Sequence, residues 1–217
     1  MGVEFIVLII ALIVSVILHE MAHGYMANHL GDPTAKLQGR LSPNPLVHID
    51  PLGSIIVPGL LLFSGAGFLF GWAKPVPYNP YNLRDQKWGE AKVAAAGPGI
   101  NIVLAIIFAA LVGAAPALGL PGQFQDIGLW IVYINLFLAF FNLLPFPPLD
   151  GSKVITPIIG LFSTEIMWQY QRISRVLEQN SLIAFTIIVI AVLFVIGGPL
   201  FGFTQWVTNL LLGLFSF

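Results

Sequence analysis

Long apolar runs separated by short polar stretches dominate this sequence. Of its 217 residues, 57% are hydrophobic and only 9% are charged, whereas an ordinary soluble domain has roughly 25% charged residues. Several runs approach the ~20 residues that a helix needs to cross the hydrocarbon core of a bilayer. The pattern therefore predicts an all-α polytopic membrane protein, with residues 1–217 forming a single transmembrane domain.

About five transmembrane helices are predicted from these runs and from the residues that interrupt them. The last two are expected to meet in a turn at Gly197-Gly198-Pro199. The apolar run 53–72 is broken by Pro58-Gly59 and by further glycines, so a re-entrant hairpin or β element fits it better than a straight span, with one strand at Trp72–Tyr78. The segment 151–180 is expected to include an amphipathic surface helix. The predicted transmembrane helices are 3–29, 92–114, 126–145, 181–197 and 199–217.

The charged residues predict orientation and exclude some partners. All nine Lys and Arg residues lie in the segments 31–52, 73–92 and 151–180. Cytoplasmic loops carry an excess of these residues, so the three segments are predicted to be cytoplasmic in a multi-pass protein of the plasma membrane. No basic stripe indicates nucleic acid and no Gly-rich phosphate loop indicates a nucleotide. Because the chain has no Cys, a transition-metal site would use His and carboxylate ligands.

The sequence His19-Glu20-Met21-Ala22-His23 lies in the second half of the first predicted helix. Residues four apart share a helix face, so both imidazoles can bind one metal ion, with Glu20 placed as a general base. Ionisable groups at bilayer depth cost roughly 2.5–3.5 kcal/mol each. Three such groups within five residues therefore indicate a compensating partner, and a metal fits that need.

A third ligand is predicted at Asp150. This residue follows the prolines at 145, 147 and 148, which end the preceding helix, and Gly151 gives the backbone the freedom to turn the carboxylate inward. His19, His23 and Asp150 can lie at one depth only if their helices run in the same direction. That condition holds if a single span, 92–114, intervenes.

The chain resembles the site-2 protease family of intramembrane zinc metalloproteases. The resemblance covers residues 5–155 approximately and points to a small subgroup without a PDZ or CBS domain. It rests on His19-Glu20-x-x-His23, on Gly97-Pro98-Gly99-Ile100-Asn101 and on Asn142 to Gly151, with support from Asn44-Pro45 to Gly53 and from Gly71 to Pro77.

The resemblance implies hydrolysis of peptide bonds within or near transmembrane segments of membrane-protein substrates, close to the cytoplasmic side. It implies one zinc ion per chain, held by His19, His23 and Asp150, with Glu20 as general base. Asn142 matches a family asparagine that helps to position substrate or the developing oxyanion. The catalytic core would be residues 3–155, and helices 181–217 carry no motif of the family.

Other interpretations stay open at this stage. A membrane metal transporter could use the same three ligands, but it would not need Glu20, and a catalytically silent scaffold could bind client helices. Asn101 is predicted to hold helices together rather than to take part in chemistry. His48 is predicted to be a loop histidine bonded locally, with contact to the metal as the alternative.

Overall fold

The structure, a computed structural model, describes residues 3–64 and 71–215. Within these ranges the chain is helical and has no β-strand, as the all-α class predicts. Shorter 3₁₀ turns lie at Pro45–His48 and Pro80–Asn82, and π-helical turns lie at Pro51–Ile56 and Val192–Ile196. The helices are α1 (Val3–His29), α2 (Thr34–Leu37), α3 (Val57–Ser64), α4 (Gly89–Ala114), α5 (Gly122–Asn142), α6 (Asp150–Phe162), α7 (Thr164–Gln179), α8 (Ser181–Ala191) and α9 (Gly197–Phe215).

Four of the described helices are long and apolar enough to cross a membrane, namely Ile6–His29, Gly89–Ala114, Gly122–Asn142 and Phe194–Phe215. The predicted helix at 181–197 is not among them, so a fifth span stays a prediction. The turn expected at Gly197-Gly198-Pro199 is wrong, because all three residues lie in the first turn of α9. Helix α9 continues directly from the π-helical turn Val192–Ile196, so the chain passes through these three residues without reversing direction.

Helix α4 lies at the centre of the fold and packs against α1, α5, α6 and α9. Its buried positions recur about every four residues, which places them on one face, and nearly all of them are small. Small side chains let neighbouring helix backbones approach closely in a membrane. The face consists of Ala94, Gly97, Asn101, Ala105 and Ala109.

The region after α1 differs from the prediction. The strand expected at Trp72–Tyr78 is wrong, since residues 71–79 have no regular secondary structure. Pro75 and Pro77 have no N–H to contribute to a strand ladder. The preceding segment 51–64 forms a π-helical turn and α3. The re-entrant interpretation of 53–72 stays a prediction, because residues 65–70 lie outside the described ranges.

The surface helix expected within 151–180 is present as α7. Its N-terminus is capped by Ser163, whose hydroxyl oxygen accepts a hydrogen bond from the Ile166 N–H at 3.3 Å. None of its residues is buried, and apolar side chains such as Ile166 and Ile173 are exposed along it. The helix predicted there is thus confirmed, while its position along a membrane surface stays a prediction.

Candidate metal centre

His19 and His23 lie one helical turn apart on α1 and face the protein interior. Their exposed fractions are 6% and 9%, although imidazole is polar. The two rings contact each other edge to face, with centroids 4.7 Å apart. The spacing of the motif therefore delivers two imidazoles to one point, as the sequence predicts.

Asp150, the first residue of α6, completes the group. Its Oδ2 lies 3.1 Å from His19 Nε2 and 3.4 Å from His23 Nε2. The next residue, Gly151, lies so close to the end of α5 that an added Cβ would overlap the carbonyl oxygen of Leu143. Glycine at this position thus lets α6 begin against α5, and that approach brings the carboxylate to α1.

The donor set fits one metal ion. The three ligand atoms all lie within 4.8 Å of one another. A tetrahedral zinc ion, about 2.0–2.1 Å from each ligand, would separate neighbouring ligand atoms by roughly 3.3–3.4 Å, close to the two distances to Asp150. Gly97 of α4 faces the same point, and a Cβ there would overlap the Nε2 atoms of both histidines. The absence of a side chain at Gly97 leaves room in front of the ligand atoms.

Each imidazole is oriented through its other ring nitrogen. His19 Nδ1 lies 2.7 Å from Asn101 Oδ1, and His23 Nδ1 lies 2.8 Å from the carbonyl oxygen of Val93. Because these oxygens can only accept, both Nδ1 atoms carry the hydrogen in the neutral rings. The Nε2 lone pairs are then free to bind a metal, and such outer hydrogen bonds are typical of metal-binding histidines.

Glu20 is half-buried and is held by the segment after α3. Its Oε2 accepts a hydrogen bond from the Val76 N–H at 2.8 Å. Val76 lies between two prolines, so it supplies the single N–H among residues 75–77. The irregular segment that replaces the predicted strand therefore orients the candidate general base.

The two other residues that the sequence singles out do not join the group of three. Asn142, at the C-terminal end of α5, donates from Nδ2 to the Leu138 carbonyl one turn back, at 2.9 Å. His48 is 3% exposed, and its Nε2 lies 2.8 Å from the carbonyl oxygen of Ser42. The local interpretation of His48 is thus confirmed, while the role of Asn142 in positioning substrate or an oxyanion stays a prediction.

The sequence motifs do not predict the roles of Asn135, Val76 and Gly97. Asn135 lies on α5, and its Oδ1 accepts from Asn101 Nδ2 at 2.9 Å. One signal for it exists, since an asparagine amid an apolar helix must find a hydrogen-bond partner. No sequence signal identifies Val76, because it acts through a backbone N–H.

Asp32, outside the membrane-spanning helices, joins the loops at the C-terminal end of α1. Its carboxylate accepts hydrogen bonds from the Thr34 hydroxyl at 2.6 Å, the Asn79 N–H at 2.7 Å and the Asn82 amide at 2.8 Å. Burial alone would raise the pKa of Asp32, but these bonds to the ionised form outweigh it and lower the pKa. The segment that leads from Val76 to α4 is thereby tied to the end of the metal-binding helix.

Comparison with known proteins shows that the chain is similar to peptidases. The model of Peptidase family M50 matches residues 117–185, a segment that contains Asp150 and Asn142. No solved structure matches the chain.

Three similar proteins carry the name putative zinc metalloprotease. YwhC of Bacillus subtilis is 42% identical over 159 residues, which cover 70% of this chain and 68% of that protein. MJ0611 of Methanocaldococcus jannaschii is 33% identical over 176 residues, which cover 76% of this chain and 82% of that protein. Rip2 of Mycolicibacterium smegmatis is 31% identical over 166 residues, which cover 70% of this chain and 57% of that protein.

Proposed function

The chain belongs to peptidase family M50, the site-2 protease family, and from this premise we propose that it is an intramembrane zinc metalloprotease. It hydrolyses peptide bonds within or near transmembrane segments of membrane proteins, close to the cytoplasmic side. One zinc ion per chain is held by His19, His23 and Asp150. The peptidase domain is residues 1–217, with a catalytic core at about 3–155.

One observation carries this proposal: a carboxylate that is not in the metal group is held beside it. Glu20 lies between His19 and His23 on α1 and is oriented separately, through the Val76 N–H. A transport site needs ligands that can release the ion, but it has no use for a second carboxylate fixed beside them. The similar proteins reported above all carry the name putative zinc metalloprotease, which also favours hydrolysis over transport.

The chemistry divides between the metal and Glu20. A zinc ion bound here supplies Lewis acidity that activates water and polarises the scissile carbonyl. Glu20 accepts a proton from the water as the oxygen of the water bonds to the carbonyl carbon of the substrate. Glu20 then donates this proton to the amide nitrogen as the C–N bond breaks, so that a carboxylic acid and an amine leave. The Val76 N–H keeps one carboxylate oxygen in place and thereby aims the other.

Asn142 is proposed to donate from its amide to the oxyanion that develops on the scissile carbonyl, a class of contact worth about 2.7–4 kcal/mol in proteases. Its NH2 group donates to Leu138 O, one turn back on α5. An NH2 group has two hydrogens, so the second can serve substrate while the first keeps the side chain in place.

The proposed location is a multi-pass position in the plasma membrane, with segments 31–52, 73–92 and 151–180 on the cytoplasmic side. This orientation places the C-terminal end of α1, and with it the metal group, nearer the cytoplasm. Water and the released peptide would exchange with that side. The proposed partners are the lipid bilayer and a transmembrane protein or peptide substrate.

The test combines metal content with cleavage in detergent-purified protein. Wild type and Glu20→Gln are expected to contain one zinc per chain, and His19→Ala, His23→Ala and Asp150→Ala to contain none. His48→Ala is the matched control, since His48 is a buried histidine outside the group, and it should retain zinc.

Cleavage is measured on a single-span membrane peptide in proteoliposomes. Glu20→Gln is expected to cleave at least about 100-fold more slowly than wild type, because a general base contributes 10²–10⁴-fold. Zinc flux across the proteoliposome membrane that persists in Glu20→Gln, without cleavage by wild type, would refute the protease and favour a transporter.

A further inference from the structure

We propose that Asn101 and Asn135 are positioning residues that determine which ring nitrogen of His19 faces the metal. The inference rests on the proposed function, since it assumes that the group of His19, His23 and Asp150 holds a metal. It replaces the expectation that Asn101 only holds helices together. Both asparagines lie in the buried interior, with exposed fractions of 0% for Asn101 and 1% for Asn135.

The hydrogen bonds of the two side chains form a chain that starts at a fixed group. The backbone carbonyl of Ile131 can only accept, so Asn135 must direct its NH2 group toward it, at 2.9 Å. The Asn135 oxygen then faces Asn101, which must direct its own NH2 group toward that oxygen, at 2.9 Å. The orientation of both amides thus follows from one peptide carbonyl of α5.

The last bond in this chain reaches the metal group. With its NH2 turned to Asn135, Asn101 presents its oxygen to His19 Nδ1 at 2.7 Å. A neutral imidazole facing an acceptor carries its hydrogen on that nitrogen. The lone pair is therefore on Nε2, the atom that lies 3.1 Å from Asp150 Oδ2. If Asn101 turned over, its NH2 would favour a lone pair on Nδ1 and a hydrogen on Nε2, where the metal binds.

The two histidines differ in what holds them. His23 Nδ1 faces the Val93 carbonyl, a backbone group that cannot turn over. His19 instead depends on an amide that could adopt either orientation, and Asn135 is the residue that decides between them. In a membrane interior no water competes for these groups, so the chain persists once formed. The asymmetry separates this inference from a role in packing alone.

The experiment measures zinc affinity of the purified full-length chain with a competing chelator. Asn101→Leu should raise the Kd for zinc by about 10–100-fold, as loss of an outer hydrogen bond to a ligand does. Asn135→Leu should raise it by a smaller factor. Thr204→Val is the control, because Thr204 is also a fully buried polar residue but donates within α9, to Leu200. The inference is wrong if neither asparagine variant differs from this control.

A double-mutant comparison separates positioning from packing. Asn101→Asp places an acceptor oxygen toward His19 in either orientation, so Asn135 is no longer needed to choose one. Asn135→Leu should therefore weaken zinc binding in the wild-type background but add no further loss in Asn101→Asp. An equal loss in both backgrounds would mean that Asn135 acts by packing, and would overturn the inference.

Cobalt gives a readout of the ligands themselves. Co²⁺ bound in place of zinc should show the visible bands of a four-coordinate site in wild type, and Asn135→Leu should shift them as His19 binding is perturbed. Unchanged bands together with an unchanged zinc Kd would count against the inference. Wild type that binds neither metal would instead refute the proposed function. If Asn101→Leu does not fold, the Asn135→Leu measurements carry the test.

Discussion

The helices α1, α4 and α5 and the C-terminal helix α9 satisfy their buried polar side chains in different ways. In the first group the bonds run between helices, from His19 to Asn101 and from Asn101 to Asn135. In α9, Thr204 and Thr208 are equally buried, but each donates to a carbonyl one turn back in its own helix. In the α1–α4–α5 region these hydrogen bonds join neighbouring helices, whereas in α9 they satisfy the buried hydroxyl groups within one helix.

This difference matters because lipid gives helices no hydrophobic reason to associate. Helix position in a bilayer depends on close packing and on hydrogen bonds between helices. A hydrogen bond within one helix does not constrain the position of neighbouring helices, whereas a hydrogen bond between two helices fixes their relative position. Substitutions in the α1–α4–α5 region should therefore disturb the metal group, and those in α9 should leave it intact.

The largest expected effect comes from Gly97→Ala, because the new side chain would fill the space in front of the metal ligands. The added Cβ would overlap the Nε2 atoms of His19 and His23, so zinc content should fall below detection. Ala favours a helix over Gly by about 1 kcal/mol, so loss of fold is not the expected cause. Gly99→Ala is the control, because nothing lies within 4 Å of a Cβ there. Full zinc content in Gly97→Ala would contradict this geometry.

Val76→Pro tests whether the hydrogen bond from the loop residue Val76 to Glu20 of α1 orients the general base for catalysis. It removes the N–H that Glu20 accepts, and loss of a hydrogen bond to a charged group costs about 1.5–3 kcal/mol, so kcat should fall roughly 10–100-fold. Zinc content should stay the same, since the Val76 N–H donates to Glu20 and not to His19, His23 or Asp150. Val76→Ala keeps the N–H and should cleave near the wild-type rate, and an equal loss in both variants would point to packing instead.

Asp32→Asn extends the comparison to the loops. It replaces one acceptor oxygen with a donor that faces other donors, which should cost about 1–3 kcal/mol of unfolding free energy at pH 7. Because the folded-state pKa of Asp32 is lowered, its stabilising contribution is present above about pH 4 and is lost as the pH falls through the folded-state pKa.

Thermal unfolding of the purified protein at several pH values measures this effect. The difference between wild type and Asp32→Asn should shrink as the medium becomes acidic. Glu165→Gln removes an acidic charge that is exposed, unlike the buried Asp32, so it is the control and should unfold like wild type. A gap that widened at low pH would contradict the assigned bonds.

The smallest effects are expected from Thr204→Val and Thr208→Val. Each removes one hydrogen bond within α9, and such bonds in membrane proteins are worth about 0.6 kcal/mol on average. Zinc Kd, kcat and unfolding temperature should stay close to wild type. A clear loss of zinc in either variant would break the contrast, because it would mean that α9 also positions the metal group.

Much of the fold could be predicted because its signals are local. The apolar run of α1 and the spacing of His19 and His23 depend on a single helix, and the predicted C-terminal bound at residue 29 matches the end of α1. Asp150 could be predicted because ligands must share one depth, a condition that constrains helix direction. The structure places all three side chains together, as that argument requires.

The errors and omissions arise where partners are distant in the sequence. Asn135 bonds to Asn101 across 34 residues, and no periodicity indicates which face of α5 meets α4. The sequence predicts a strand at Trp72–Tyr78, but N–H groups of this segment bond to helical turns and not to a neighbouring strand, with Trp72 donating to Gly53 and Lys74 to His48. The turn at Gly197-Gly198-Pro199 is predicted from residue types that often interrupt helices, whereas the backbone stays helical through all three residues.

The prolines on either side of Val76 make hydrogen exchange at this residue a probe of the Glu20 side chain. Among residues 75–77 a single amide hydrogen can exchange with deuterium, and it is bonded to the Glu20 carboxylate. Its exchange rate therefore reports on the Glu20 carboxylate, and no dye or spin label has to be attached to the protein. Slow exchange means that the carboxylate holds the segment, and faster exchange on adding substrate means that it has turned to a new partner.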